Sequence, residues 1–403
     1  MLGAIAKGKT RVRGVLDCDD CNYTIRAFKE LGVSIRKDGE STVIDGVGLR
    51  GLKAPAGPIR VGNSGTSMRL LAGILAGQHF ETVLEGDEGL SRRPMKRITE
   101  PLALMGVDIR PARDGHPPLK ITGGAVKSIN YKLPVPSAQV KSALLFAGLY
   151  ADGTTVVEEK YRSRDHTERM LKHFGAKVDV KGLAVSVKGG KELVGRSFDI
   201  PGDISSASFF LAGAALIKGS KVKVTKVNIN PTRAGIIDIL ADFGAKVKVT
   251  NRADTFEPYG DIEVQPGVMK GIVIKESAIP GIIDELPIIF VLAALAEGAT
   301  VIRGAGELRV KETDRINSMK ENLEAMGASV KVGRDEITIE GVRQLKGAKL
   351  RSFGDHRTCM AMTIAALTAK GSSAIDDVRC INKSFPEFFK LLEKLSLSGA
   401  RAC

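Results

Sequence analysis

Ile282–Ile302 reads I-I-D-E-L-P-I-I-F-V-L-A-A-L-A-E-G-A-T-V-I. A short polar head, Ile282–Pro287, leads into an apolar, alanine-rich helix. Gly298 follows the helix, and a β-branched strand follows the glycine. The same order recurs around Gly8 (AIAKGKTRV), Gly77 (ILAGQHFETV), Gly153 (YADGTTVV), Gly219 (ALIKGSKVKV) and Gly371 (LTAKGSSAI). Neighbouring glycines of this set lie 66 to 79 residues apart. A fixed period of this kind decides the fold before any single motif does.

A second element follows each unit: a helix ending in a hydrophobic residue plus glycine, then an alternating strand. The copies end at Leu31-Gly32, Met105-Gly106, Phe174-Gly175, Phe243-Gly244 and Met326-Gly327, and a degenerate sixth ends at Leu395-Ser396. Glycine just past a helix supplies the left-handed cap. Ala176–Val180 and Ala245–Val249 alternate with the period of two that marks a half-buried strand. The chain is therefore six helix–strand–helix–strand units, of longer period than the usual solenoids. Two domains of three units each fit the 403 residues at ~100–200 residues per domain. The predicted joint lies near Pro201-Gly202, giving an α/β domain over 1–200, its first repeat truncated, and another over 201–403.

Five of the six apolar helices have a polar head: Gly62–Arg69 (GNSGTSMR), Pro136–Ser142 (PSAQVKS), Pro201–Ser208 (PGDISSAS), Ile282–Pro287 (IIDELP) and Gly354–Arg357 (GDHR). Their Ser, Asn, Asp and Gly are N-cap residues. Helix N-termini present free N–H groups and the positive end of the dipole, which suits phosphates and carboxylates. The first copy has only seven residues before Gly8, so its head is missing and Met1 reads as a residue from inside the helix. Clustered charges accompany the heads. Leu308–Arg315 (LRVKETDR) precedes a predicted helix over Ile316–Met326, Arg92-Arg93-Pro94-Met95 follows the second strand, Ser163-Arg164-Asp165-His166 follows the third, and Lys383 precedes Ser384-Phe385-Pro386. Arginine forks onto phosphate or carboxylate, and lysine acts as a point charge. Singly, each is a common surface feature. Their recurrence beside helix starts points to a multiply charged small anion.

Composition narrows the classes. A net charge of +14 calls for anionic partners. Nucleic acid is disfavoured, because aromatics make up 5% with no Trp, leaving few stacking platforms. No apolar run reaches the ~18 residues of a membrane span, and no signal peptide is visible, so a cytoplasmic protein is expected. Cys18, Cys21, Cys359, Cys380 and Cys403 form no disulfide framework. Cys18-Asp19-Asp20-Cys21 has metal-like spacing but no second pair or nearby His. His116, beside Pro117-Pro118, reads as an exposed loop residue.

GNSGTSMR, LSRRPM, PSAQVKS, SRDHTE, PGDISSASFF, IDELP, LRVKETDR, GDHR and KSFPEFF, in this order from the first residues to about Leu395, resemble the 5-enolpyruvylshikimate-3-phosphate synthase family. VKETDR and DHR are the specific pieces. The resemblance implies a two-domain inside-out barrel of six βαβαββ repeats, three per domain, closing around the substrates. It implies that the 5-hydroxyl of shikimate 3-phosphate adds to carbon 2 of phosphoenolpyruvate and that phosphate leaves, with no metal or organic cofactor. By the same resemblance Asp284 is the general base, Lys311 and Glu312 handle protons and hold substrate, and His356 orients neighbours or joins in proton transfer. Arg93, Arg315, Arg357 and Lys383 match the cations around phosphoenolpyruvate, with Gly65 and Thr66 at the helix N-terminus beside it. Ser137, Ala138, Gln139, Ser163 and Arg164 match the shikimate 3-phosphate pocket. Glyphosate is the implied inhibitor, and a monomer is expected, with neither nucleic acid nor membrane as partner.

Two points qualify the match. The family opens with a D-K-[ST]-x-[ST]-x-R segment, which is the missing first head. Without it the chain is expected to be less stable and to have little or no activity. The sister enzyme UDP-N-acetylglucosamine enolpyruvyl transferase is the alternative, but it carries a reactive Cys in the loop before its R-P motif, and Gly86–Pro94 here has none. An inactive anion-binding remnant is the third reading, and the intact Asp284, Lys311, Glu312, Arg315, Arg357 and Lys383 speak against it.

Overall fold

The computed structural model describes the chain from Met1 to Ala400, the side chains of Arg113 and of residues 397–400 excepted. The fold is mixed α/β. The chain divides into two compact units, Met1–Ile200 and Pro201 onward.

In the first unit three four-stranded sheets share one pattern. An outer strand runs parallel to its neighbour, and the two remaining strands return antiparallel. In the sheet built on Lys7–Arg13 the outer strand is Ser197–Asp199, from the far end of the same unit, with Val12 paired to Phe198. That position in the first repeat is therefore filled from within the unit. The second unit departs from regularity. Its sheets have three, four and two strands. Lys349–Leu350 and Ala374–Ile375 form the two-stranded parallel sheet, and the chain then enters a 3-10 turn and the helix Phe388–Ala400. The degenerate sixth copy does not end a helix at Leu395-Ser396, because Ser396 lacks the backbone freedom of glycine. Its hydroxyl instead donates to the Leu392 carbonyl at 3.0 Å, one turn back, and the helix continues.

The glycine periodicity has a physical basis. Gly32, Gly106, Gly175, Gly244 and Gly327, which close the second helices, all have φ between 83° and 105° and take the left-handed cap that side chains resist. In the first series Gly77 is conserved in the pattern for a different reason: a Cβ there would come within 2.0 Å of the Tyr150 ring.

The apolar helices are central because they are apolar on every side. Leu286 through Ala294 are all buried, and so is nearly all of Ile204–Leu216. The sheets lie outside and bury alternate residues, as in Thr154–Glu158 and Glu336–Glu340. In the first unit the helices Gly65–Leu75 and Ala138–Gly148 touch at Gly73, where a Cβ would stand 2.2 Å from the Ala143 carbonyl oxygen. Among the described residues no single helix is long and apolar enough to cross a membrane. The outcome for the surface readings is mixed. His116 is half-buried rather than exposed. Cys18 occupies the N-cap position of the helix Asp19–Glu30 without a side-chain cap, and hydrogen bonding with Cys21 pushes its thiol down to about 7. Among the described residues no group of three or more His, Cys, Asp or Glu gathers as a metal site. Cys403 lies outside the described residues.

Candidate functional site

Four of the five heads form helix caps, and Ile282–Pro287 makes no side-chain cap. Ser64 accepts from the Ser67 amide at 3.2 Å, Ser137 from Val140 at 3.4 Å, Asp203 from Ser205 and Ser206 at 3.2 and 3.0 Å, and Asp355 from Arg357 at 2.8 Å. Each cap holds one turn of backbone N–H groups in place at the start of a central helix. The functional side chains sit on or beside these turns, in one cluster per unit.

In the first unit the cluster begins at Gly65. A Cβ on Gly65 would lie 3.1 Å from Arg69 Nη1 and 3.2 Å from Arg93 Nη1. Two guanidinium groups thus stand over the first residue of a helix, adding fixed charge to the dipole. Arg93 is mostly buried and donates to Asn63 Oδ1 at 2.9 Å. Gln139 bridges to this turn from the next central helix. Its Nε2 donates to Thr66 Oγ1 at 2.9 Å and its Oε1 accepts from Arg69 at 2.6 Å. Ser137 and Ala138 precede it at the same helix start, half-buried. Ser163 is buried, and its hydroxyl has no hydrogen-bond partner among the described residues. Arg164 adjoins it, half-buried.

In the second unit six predicted residues meet in one ionic network. Asp284 accepts from Arg315 at 3.4 Å, with Arg357 Nη2 at 3.6 Å and Lys311 Nζ at 4.0 Å. Arg357 also donates to the Asp284 carbonyl at 3.0 Å, which joins side chain and turn. Glu312 accepts from Arg315 at 2.7 Å and pairs with Lys383 at 3.1 Å. Arg315 is 1% exposed and donates to both oxygens of Asp355, at 2.7 and 3.3 Å. His356 adjoins, its Nδ1 3.8 Å from Asp355 Oδ1.

The electrostatics follow from burial and pairing. Burial works against the Arg315 charge, but Asp355, Glu312 and Asp284 outweigh it and raise its pKa. Burial likewise pushes the Asp355 carboxyl up, and the Arg315 charge overrides this and holds it below the usual range. Burial pushes the His356 imidazole down to about 4, with Asp355 and Glu312 only partly opposing it, so it is neutral at pH 7. Lys311, Arg315, Arg357 and Lys383 face Asp284, Glu312 and Asp355, leaving excess positive charge for an anionic ligand and carboxylates able to move protons.

The structure brings together residues that single-motif reading overlooked. Arg69 and Asn63 lie inside the quoted head Gly62–Arg69 and Asp355 inside Gly354–Arg357, but their chemistry was hidden by their role as cap or framework. Glu285, fully buried, accepts a short hydrogen bond from Ser205, which also receives Arg233 Nη2 at 3.1 Å. This pins the turn that carries Asp284. Nothing local in the sequence marks Glu285 apart from its neighbour Asp284.

Comparison with known proteins agrees with this geometry. A family model described as EPSP synthase (3-phosphoshikimate 1-carboxyvinyltransferase) matches residues 1–392. The 3-phosphoshikimate 1-carboxyvinyltransferase of Geobacter metallireducens is 50% identical over 398 residues, covering 98% of this chain and 93% of its own length. That of Geobacter sulfurreducens is 50% identical over 399 residues, with the same coverage of both. The structure of EPSP synthase from Acinetobacter baumannii superposes with a TM-score of 0.86 at 46% identity, covering 98% of this chain and 92% of that one. With cations at the first unit's helix starts, cations and carboxylates at the second's, and likeness over almost its whole length, the chain belongs to the EPSP synthase (3-phosphoshikimate 1-carboxyvinyltransferase) family.

Proposed function

We propose that the two clusters carry out the family's reaction, transfer of the enolpyruvyl group of phosphoenolpyruvate to the 5-hydroxyl of shikimate 3-phosphate with release of phosphate, in the following roles. Ser137, Ala138, Gln139, Ser163 and Arg164 hold shikimate 3-phosphate. Arg315, Arg357 and Lys383 of the second unit hold phosphoenolpyruvate, and in the first unit Arg93 and the Gly65-Thr66 helix start supply further anion-binding groups. Asp284 takes the hydroxyl proton as oxygen attacks carbon 2. Lys311, with Glu312, delivers a proton to the methylene carbon to give a tetrahedral adduct bearing a methyl group, and return of one methyl proton to the same pair with expulsion of phosphate restores the double bond. General acid–base help of this kind is typically worth ~10²–10⁴ in rate. Asp284 is engaged by Arg315, Arg357 and Lys311. Anionic substrate competes for those cations, and the carboxylate is then released to act as a base.

The observation that carries this reading is the convergence of Asp284, Lys311, Glu312, Arg315, Arg357 and Lys383 within one set of ion pairs no longer than 4.0 Å. Phosphate release is the test, with shikimate 3-phosphate and UDP-N-acetylglucosamine as rival acceptors. Release that depends on shikimate 3-phosphate supports the assignment, and release that depends on the UDP-sugar overturns it. The same reading makes glyphosate a competitor of phosphoenolpyruvate and places the protein in the cytoplasm as a monomer.

A further inference from the structure

Lys141 is charged, yet it lies fully buried in the first unit, in the second turn of the helix that begins with Ala138 and Gln139. Its ammonium donates to Glu159 Oε2 at 2.8 Å, Glu168 Oε1 at 2.7 Å and the Ser163 carbonyl at 3.4 Å. Both carboxylates are as buried as the lysine. Glu159 Oε2 also accepts from the Ser163 amide at 3.3 Å. The Ser163 peptide is thus gripped on both sides, its carbonyl by the lysine and its N–H by the lysine's own counter-ion. A second tie runs parallel: Ser142 on the same helix shares a 2.6 Å hydrogen bond with Thr167.

Stability does not explain such a cluster. Desolvating an ammonium and two carboxylates is expensive, and an apolar replacement of similar volume is often neutral or better. Burial raises the Glu168 carboxyl, with Lys141 only partly opposing it, so the carboxylates are held at some cost. What the cluster provides is geometry. Its three charged members come from the helix after Ser137, from the end of the strand Thr154–Glu158 and from the helix His166–His173. Ser163 and Arg164 lie on the loop between the last two. The Ser163 hydroxyl is buried, with its N–H and carbonyl both bonded, and its oxygen has no hydrogen-bond partner among the described residues.

We propose that Lys141, with Glu159 and Glu168, is a positioning group for the acceptor substrate: it locks the Ser163-Arg164 loop to the Ser137–Gln139 helix start so that both present a fixed surface to shikimate 3-phosphate. The inference rests on the assignment of those two segments to that substrate. Lys141 touches no substrate itself, so its removal changes the affinity for the acceptor and not for phosphoenolpyruvate.

The test is Lys141→Met in the full chain, with Arg164→Ala in parallel. Dissociation constants for shikimate 3-phosphate and for phosphoenolpyruvate are measured by calorimetry, and melting confirms folding. The expected result for Lys141→Met is a rise of about tenfold or more for shikimate 3-phosphate, equivalent to ~1.4 kcal/mol, with phosphoenolpyruvate binding unchanged. If Lys141→Met does not fold, the neutral set Lys141→Met/Glu159→Gln/Glu168→Gln, which leaves no buried charge unpaired, is measured in its place and should show the same selective loss. Unchanged acceptor affinity in a folded variant overturns the proposal, and so does an equal loss for both ligands, which marks general loosening. Arg164→Ala separates the two levels. If it leaves acceptor binding intact, the pocket assignment itself is wrong; if it weakens binding where Lys141→Met does not, only the positioning role falls.

Discussion

Asp355 combines two jobs that one substitution can separate. It caps the helix His356–Thr368 through the Arg357 amide at 2.8 Å, and it neutralises Arg315 through two hydrogen bonds of 2.7 and 3.3 Å. Asp355→Asn keeps the shape and the cap, since Asn caps as well as Asp, but removes the charge. Breaking a buried ion pair on one side costs about 3–5 kcal/mol. Arg315 retains Glu312 at 2.7 Å and Asp284 at 3.4 Å, so the lower end applies. In a unit of some 200 residues, where 1 kcal/mol moves Tm by roughly 2–4 °C, a loss of about 3 kcal/mol lowers the melting of the second unit by about 6–12 °C. The matched control is Asp314→Asn. Asp314 also caps a helix, through Ile316 and Asn317 at 3.1 Å, but its ion pair with Arg309 is partly exposed, and such pairs contribute about 0–1 kcal/mol. The pH dependence has a definite sign. Asp355 has a lowered folded pKa, so its contribution is complete above the unfolded value of about 3.9 and disappears as pH falls through the folded value. The gap between parent and Asp355→Asn should therefore be constant from neutral pH to about 4 and close below it. Calorimetric melting of the three proteins across pH is the assay. A fall of less than 2 °C for Asp355→Asn, or an equal fall for Asp314→Asn, would refute the assignment of the penalty to a buried charge.

Three further outcomes are expected. Asp284→Asn lowers kcat more than it raises KM, because a base acts in the transition state, whereas Lys311→Ala damages both; parent-like turnover by Asp284→Asn in steady-state assays removes that residue from proton transfer. His356, held near a pKa of about 4 by burial, binds fewer protons folded than unfolded, so stability is complete above pH 6.5 and declines by about 3 kcal/mol toward pH 4; His356→Gln should flatten that part of the Tm–pH curve, and an unchanged slope contradicts the burial argument. Gly73→Ala forces a Cβ to within 2.2 Å of the Ala143 carbonyl, and overpacking of this kind costs about 1–3 kcal/mol or more; denaturant unfolding with no loss of stability would show that the two central helices separate freely.

The repeat and four of the helix caps were legible because each leaves a local mark: glycine at positive φ, alternation of period two, or Ser and Asp before an apolar run. The clustering of charge was visible too, since VKETDR and DHR each pack several charges into a few consecutive residues. Their partnerships were not. Arg315 meets Asp355 across 40 positions and Glu312 meets Lys383 across 71, and no local rule predicts which acid faces which base. Lys141 and Glu285 were invisible for a related reason. A buried charge looks like a surface charge in sequence until tertiary packing shows what surrounds it. The second unit's two-stranded sheet and the long final helix were missed because the sixth repeat lacks the glycine that punctuates the other five.

The central claim is that the first unit's helix starts are shaped for shikimate 3-phosphate. Calorimetric titration of the 403-residue chain with shikimate 3-phosphate and, separately, with UDP-N-acetylglucosamine tests it most directly. The account predicts heat of binding for shikimate 3-phosphate that is weakened by Arg164→Ala and by Gln139→Ala, and none for the UDP-sugar. Preferential binding of the UDP-sugar, or binding of shikimate 3-phosphate that neither substitution weakens, would contradict it.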